Sequence, residues 1–449
     1  MNQRDEFDWR PCPETSQRIW GHVEQQVATL PFAAELSDRM LHETGTRFCD
    51  WIDHLALPES DPLVQDLSQL GYQCDDSDSP SVYRHELAML PTIRLVDGPT
   101  AAICLHVDDV ADFACAHRIE ANIDGNVGAQ MRRLVVAENP HLAMEVIERH
   151  GDPGFVSREP SSEQVVASLH HAEAFRRRKR NCESDRAGFE CAQELIQDSI
   201  QDLGVNWTCD LFFAAEREYW QSRNRAARVQ KRRQDRLGLG WGNHDHHTYR
   251  CSRENFVRLI EVLELLGFHC RERFYGGAEA GWGAQVLEQT NAGIVIFADV
   301  DLSVSEVAGD FAHEGLPTRE DLGTVGLWCA LHGEAFLQAG MHHLECQFDF
   351  HAARNQLAEL GIASMKPFTD FDYLKQSFTE GETWQIDSKR IETALQRGVI
   401  SAEQADRFRE RGSVGSHLEI LQRDDGYKGF NQTGISEIIR ATDPRRLST

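Results

Sequence analysis

The chain echoes itself, and this duplication narrows its possible folds more than any other feature. Residues 51–72, WIDHLALPESDPLVQDLSQLGY, parallel residues 243–268, NHDHHTYRCSRENFVRLIEVLELLGF: a His-bearing strand pattern leads into a helix pattern that stops at Leu-Gly-aromatic. Residues 131–151, MRRLVVAENPHLAMEVIERHG, match residues 341–361, MHHLECQFDFHAARNQLAELG, in length and layout: a short strand, a break and an amphipathic helix ending in Gly. The two echoes occur in the same order in both halves. Each half therefore holds two strand-helix-strands modules, and no short fixed period marks a solenoid. Four such modules predict an α+β fold, with curved mixed or antiparallel sheets and helices outside.

Between the halves, residues 161–238 read as helices, through VVASLHHAEAFRRRKR, ECAQELIQDSIQDLG and FFAAEREYWQSRNRAARVQKRRQDR, closed by Leu237, Gly238, Leu239 and Gly240. The expected division is a degenerate copy over 1–160, a helical connector over 161–238, and a half carrying the chemistry over 239–449. A chain of 449 residues exceeds one ordinary core, in keeping with that division.

Composition excludes several function classes. With 41% hydrophobic and 26% charged residues and a mean hydropathy of -0.47, the chain reads as soluble and globular. No apolar run approaches the ~20 residues of a membrane span. The start, MNQRDEFDWRPCPE, lacks a secretory pattern, so the cytoplasm is expected. Twelve cysteines are scattered without C-x-x-C, which argues against a disulfide framework and a thiolate zinc cage. A net charge of -26 repels nucleic acid. Two basic runs, FRRRKR at 175–180 and RNRAARVQKRRQDR at 223–236, read as solvated helix faces pairing with acidic neighbours.

Three segments of the C-terminal half could converge on a metal. In GNHDHHTYR, residues 242–250, strand alternation puts His244, His246 and Thr248 on one face, with Arg250 next in the row. In MHHLEC, His342 and His343 point to opposite faces of a strand. In SHLEILQR, residues 416–423, Glu419 ends a hydrophobic alternation. Two neutral imidazoles and one carboxylate suit Fe(II) and leave roughly three coordination positions free. From the residues alone, His244 competes with His246, and His342 with His343.

The segments HHLECQFDFHAARNQLAELGI, PFTDFDYLKQ, WQIDS and HLEILQRDDGYKGFNQTGISEI resemble parts of the C-terminal module of 4-hydroxyphenylpyruvate dioxygenase, a member of the vicinal oxygen chelate superfamily. In order, these parts are the second ligand strand with its helix, the aromatic loop, the glutamine-bearing strand, and the closing segment that leads into a helix over the site. DHHTYR, LELLGF, GAQVLEQ and VIFADVDL resemble a second group with this fold, the 2-oxoadipate dioxygenase/decarboxylases or hydroxyglutarate synthases.

The resemblance covers the C-terminal half and implies a duplicated vicinal oxygen chelate fold, paired βαβββ modules forming curved sheets. It implies Fe(II) held by His246, His343 and Glu419, with Arg250 gripping a substrate carboxylate. Gln385 would orient substrate, and Phe430 with Asn431 would close the pocket. The partners implied are a 2-oxo acid, 2-oxoadipate-like or arylpyruvate-like, and O2, without nucleic acid or membrane; a homo-oligomer stays open. The activity implied is oxidative decarboxylation with hydroxylation. Two other readings stand beside it. One is a non-redox lyase, isomerase or ring-opening hydrolase, which a fourth ligand at Glu288 or Glu345 would favour; the other is a binding protein that kept the fold. In the N-terminal copy Arg133 stands where His343 does, and His54 is left with a structural role.

Overall fold

The structure, a computed structural model, describes residues 9–75, 81–278, 280–431 and 443–445. Two mixed sheets carry the molecule. The N-terminal sheet contains β1 (Ile52–Pro58), β2 (Gln73–Asp75), β3 (Val82–Arg84), β4 (Thr92–Val96), β5 (Ala101–His106), β6 (Met131–Glu138) and β7 (Leu142–Arg149), in the spatial order β2-β3-β4-β1-β5-β7-β6. The C-terminal sheet contains β8 (His244–Arg250), β9 (His269–Tyr275), β10 (Trp282–Gln289), β11 (Ile294–Asp301), β12 (His343–Gln347), β13 (Thr369–Phe371), β14 (Leu374–Phe378), β15 (Glu382–Trp384) and β16 (Ser413–Arg423). Its order is β13-β14-β16-β12-β8-β11-β10-β9, with β15 paired to the start of β16.

These orders resolve into four modules. In the C-terminal half, β8 leads through helix Phe256–Leu265 to β9, β10 and β11, and β12 leads through helix Phe350–Glu359 to β13, β14 and β16. The first and last strands of each module pair in parallel, and the two modules join where β8 meets β12 antiparallel. The N-terminal half repeats the plan: β1 joins β5 antiparallel, β1 pairs β4 in parallel, and β5 pairs β7 in parallel. Its second module, β5, helix Val110–His117, β6 and β7, has one strand fewer. The architecture is therefore α+β, with duplicated paired modules as expected.

One echo needs correction. Residues 131–149 form the hairpin of β6 and β7, with no helix. Asn139 makes the turn, its side chain accepting from the backbone N–H groups of His141 and Leu142. The segment LAMEVIER then finds strand partners on both sides, β5 and β6, and this tertiary pairing overrides a pattern equally compatible with a helix. The counterpart of β12 and its helix is β5 with helix Val110–His117.

Helices Ser162–Arg176, Asp185–Leu203, Val205–Ser222 and Arg225–Asp235 span the middle of the chain. Ser161 opens the first with a capping box to Gln164. Phe189, Phe212, Phe213 and Trp220 join the core of the C-terminal sheet, whereas Leu237 and Leu239 are buried in the N-terminal core. The first basic run is a solvated face only in part: Arg176 and Arg177 are exposed and pair with Glu218 and Glu173 as expected, but two of its arginines turn inward. Arg178 and Arg180 are buried on Glu216, at 3.0 and 2.5 Å, and both donate to backbone carbonyls at 336 and 337. Among the described residues no helix is long and apolar enough to cross a membrane.

Candidate metal centre

Strand β8 delivers the first imidazole with a twist in its register. The ladder pairs Glu345 with His246 and the next residue, Cys346, with His244, so Asp245 is the extra residue of a β-bulge. The bulge turns His244 onto the opposite face, where its ring meets that of His247 at 5.3 Å. Burial, reinforced by Arg217, pulls the His244 imidazole down to about 3. Of the two candidates, only His246 enters the centre.

His343 opens β12, and His342 lies before the strand begins, so strand alternation does not govern the pair. Their Nδ1 atoms are 2.9 Å apart rather than on opposite faces. His342 packs on Trp328 and His417. Glu419 sits inside the long strand β16, in register with Glu345, rather than ending an alternation.

His246, His343 and Glu419 are all buried, and each offers a ligand atom within 4.8 Å of the other two. His343 Nε2 lies 2.9 Å from Glu419 Oε2. Burial pulls the His343 imidazole down against the opposing pull of Glu419, which leaves it neutral. The far nitrogen of each imidazole is already occupied, which fixes the ring and leaves Nε2 for an ion. His246 Nδ1 meets Asp245 Oδ1 at 3.1 Å, and His343 Nδ1 meets His342. Asp245 is itself clamped by Arg423, through Nε at 2.9 Å and Nη2 at 3.0 Å. Burial works against its ionisation, but Arg423 and then His246 outweigh it and hold the carboxylate well below its ordinary range. Gln376 donates to Glu419 Oε1 at 3.2 Å, so Oε2 is the oxygen presented to the imidazole.

A second carboxylate is present. Glu345 Oε2 lies 3.0 Å from His246 Nε2. Burial, Glu419 and Asp245 push Glu345 well above the ordinary carboxylate range. Glu288, the other proposed fourth ligand, lies apart on β10, 3.5 Å from Arg271.

The centre borders a cavity of about 70 Å³ walled by Phe274, Trp282, Phe297, Phe368, Phe378 and Phe430. Its polar lining includes Thr248, Arg250, Asp299 and Gln376. Arg250 is buried, makes no ion pair among the described residues, and its Nε lacks a hydrogen-bond partner. Thr248 Oγ1 and Asp299 Oδ1 are likewise buried without partners. Burial, with Glu419 adding and Arg250 opposing, raises Asp299 to about 8. Larger clefts, of about 960 and 810 Å³, contain none of the three candidate ligands.

Of the residues expected at the pocket, Arg250, Phe430 and Asn431 line it. Phe430 stands 5.4 Å from the His246 ring, and Asn431 donates to Thr369 at 2.9 Å. The structure does not bring Gln385 there. It is exposed next to β15, which pairs with the far end of β16 from Glu419, and Gln376 on β14 takes the place beside the ligand. The closing helix expected after Asn431 falls on 432–442, outside the described residues. Asp299, Gln376 and His417 went unread in the sequence, whereas Thr248 was read there on the strand face of His246 and Glu345 as a possible fourth ligand, each two residues beyond a candidate imidazole.

Register relates all four modules. In the C-terminal half His246 faces Glu345 and Thr248 faces His343, while Glu419 stands opposite Glu345 and Phe297 opposite Thr248. In the N-terminal half the same places hold His54 facing Cys104, Ala56 facing Ala102, Glu145 opposite Cys104 and Arg94 opposite Ala56. The counterpart of His343 is thus Ala102; Arg133, on β6, pairs with Asp124 at 2.8 Å. The bulge recurs at Asp53, which holds His54 Nδ1 at 2.5 Å and is clamped by Arg149. His54 Nε2 is buried without a partner, under the ring of Phe155 at 4.8 Å.

No family model matches the chain, and no curated protein matches it. Among solved structures it is similar to a provisionally named hydrolase from Shewanella frigidimarina NCIMB 400, at 14% identity over 50% of this chain and 98% of that one, with a TM-score of 0.35. It is similar to a triple mutant of 4-hydroxymandelate synthase from Streptomyces coelicolor, at 12% identity over 88% and 98% of the two chains, with a TM-score of 0.29. Methylmalonyl-CoA epimerase from Mycobacterium tuberculosis is similar at 13% identity over 40% and 88%, with a TM-score of 0.23.

Proposed function

We propose that the chain is an Fe(II) dioxygenase that oxidatively decarboxylates and hydroxylates a 2-oxo acid. The observation carrying this reading is the convergence of His246, His343 and Glu419, two pre-oriented imidazoles and one carboxylate, beside an aromatic-walled cavity lined by a buried arginine that makes no ion pair among the described residues. A thiolate-free donor set of this kind fits Fe(II). His246, His343 and Glu419 would hold the iron, which when bound would supply O2 activation for oxidative decarboxylation of the 2-oxo acid.

The chain's own residues do the rest. Asp245 and His342 hold the two imidazoles by their far nitrogens, and Gln376 fixes the Glu419 carboxylate. Arg250 stands four residues along β8 from His246, about 13 Å of extended chain, so its guanidinium meets the far end of a molecule anchored at the centre. A carboxylate there accepts from Arg250 and from the Thr248 hydroxyl, and protonated Asp299 adds a third donor. The aromatic wall excludes water. A space of about 70 Å³ with a cationic end supports a short 2-oxo dicarboxylate over an arylpyruvate.

O2 uptake by the anaerobically Fe(II)-loaded protein, measured against 2-oxo dicarboxylates and 4-hydroxyphenylpyruvate, tests the proposal. Uptake coupled to CO2 release supports it. One observation favours a second reading, a non-redox lyase or isomerase: Glu345 places a second carboxylate at the centre. Silence across the panel with iron bound would shift the assignment to that chemistry.

A further inference from the structure

A second convergence of metal-ligating side chains lies on the outer edge of the C-terminal sheet. Glu264 ends helix Phe256–Leu265, Cys270 lies on edge strand β9, and His313 belongs to the turn that follows Asp310. Their ligand atoms lie within 4.8 Å of one another, although the three residues come from separate parts of the fold.

The imidazole is oriented as a ligand would be. His313 Nδ1 contacts Asp310 Oδ2 at 2.9 Å, and Nε2 faces Glu264 Oε1 at 2.9 Å. Asp310 therefore does for His313 what Asp245 does for His246: it occupies the far nitrogen and sets the ring. The turn is pinned by backbone bonds from His313 and Glu314 to the Asp310 carbonyl. The Cys270 thiol is half-buried and has no hydrogen bond among the described residues.

We infer that Glu264, Cys270 and His313 form a second metal site, for a borderline transition ion such as Zn(II), with Asp310 orienting the imidazole. Thiol, imidazole and carboxylate together select such an ion over Ca(II) or Mg(II), which prefer oxygen alone. Three protein donors plus water complete a tetrahedron. The bound ion staples the helix end, the sheet edge and the turn, where edge strand β9 has a neighbour on one side only.

The carboxylates of Glu264 and Asp310 accept hydrogen bonds from the His313 ring and shift it upward from its ordinary value. Burial, then Glu264 and Asp310, push Cys270 up to about 11, so it is a thiol. Binding requires sulfur and Nε2 to be free of protons.

Co(II) titration of the metal-free chain separates this site from the first, because only a thiolate ligand gives an intense sulfur-to-cobalt charge-transfer band. Two equivalents should bind, and the band should accompany one of them. His246→Ala/His343→Ala should keep the band and lose the other equivalent. Cys270→Ser, a change at a half-buried edge position, should lose the band and one equivalent. Absence of the band, or a band that survives Cys270→Ser, would overturn the inference and leave the cluster an imidazole hydrogen-bonded between two carboxylates. The band and its loss in Cys270→Ser do not depend on the function proposed above; the equivalent lost in His246→Ala/His343→Ala does.

Discussion

Asp245 and Asp53 are the same residue twice over, and replacing each with asparagine separates metal orientation from scaffold. Both sit in a bulge, hold the next residue's Nδ1 and are clamped by an arginine four residues beyond a strand glutamate. The Asp245–Arg423 pair is 2 and 3% exposed and bidentate. Breaking such a pair costs about 3–5 kcal/mol because a charge is stranded. Asparagine keeps the shape and one acceptor, so Asp245→Asn should cost about 3 kcal/mol. It also removes the anion behind His246 Nδ1–H, which should weaken iron binding about 10- to 100-fold. Asp53 and Arg149 are 11 and 15% exposed, and Arg149 keeps bonds to the carbonyls of Asp152 and Gly154. Asp53→Asn should cost about 1–2 kcal/mol, toward the weaker, more solvated limit, and leave iron affinity unchanged. Urea denaturation of the metal-free proteins and Fe(II) competition against a chromophoric chelator measure the two quantities. Equal loss of iron affinity in both variants, or none in Asp245→Asn, would refute the reasoning.

Three further outcomes follow from the same geometry. Elemental analysis should find iron lost in His246→Ala and in His343→Ala but retained in His244→Ala, since the bulge turns His244 to the other face. Arg250→Gln should keep its iron and raise KM for a 2-oxo dicarboxylate about 10- to 100-fold, the value of a charge-assisted hydrogen bond of about 1.5–3 kcal/mol; an unchanged KM counts against the clamp. Asp299 retains to about pH 8 a proton that the unfolded chain releases near 4, so its burial costs stability progressively as pH rises from about 4 to 8. Asp299→Asn should thus melt higher than the parent above pH 8 and no higher at pH 4, measured by thermal unfolding of the metal-free chain.

What could be read in advance was local. The strand, helix and Leu-Gly-aromatic stop of residues 243–268 lie in one continuous stretch, and the structure holds them as β8 and its helix. The three segments that converge were readable, but the preference for His246 and His343 over His244 and His342 came from the resemblance and not from strand pattern. What failed was non-local. A bulge is invisible to period-two counting, so His244 was paired with His246 until the ladder to β12 showed the extra residue. LAMEVIER became a strand because β5 and β6 were both available to pair with it. Gln385 and Gln376 lie nine residues apart in one segment, and only the pairing of β14 and β15 to different ends of β16 decides which reaches Glu419.

The N-terminal copy shows which parts of such a centre are scaffold. It keeps the bulge, the aspartate, the histidine, the clamping arginine and the strand glutamate, Asp53, His54, Arg149 and Glu145. All but the histidine and glutamate act through buried hydrogen bonds within the sheet, which stabilise it with or without an ion. What differs is one ligand and the lining: Ala102 replaces His343, Cys104 replaces Glu345, and Arg94 stands where the other half has Phe297. Arg94 lies 5.3 Å from the Phe155 ring, which also covers His54. Restoring a histidine at Ala102 would therefore not rebuild the centre, because a guanidinium and an aromatic ring occupy the approach to His54 Nε2. On the function proposed here, coordination in the C-terminal half would rest on His343 together with a lining that keeps His246 approachable, within a frame that both halves possess.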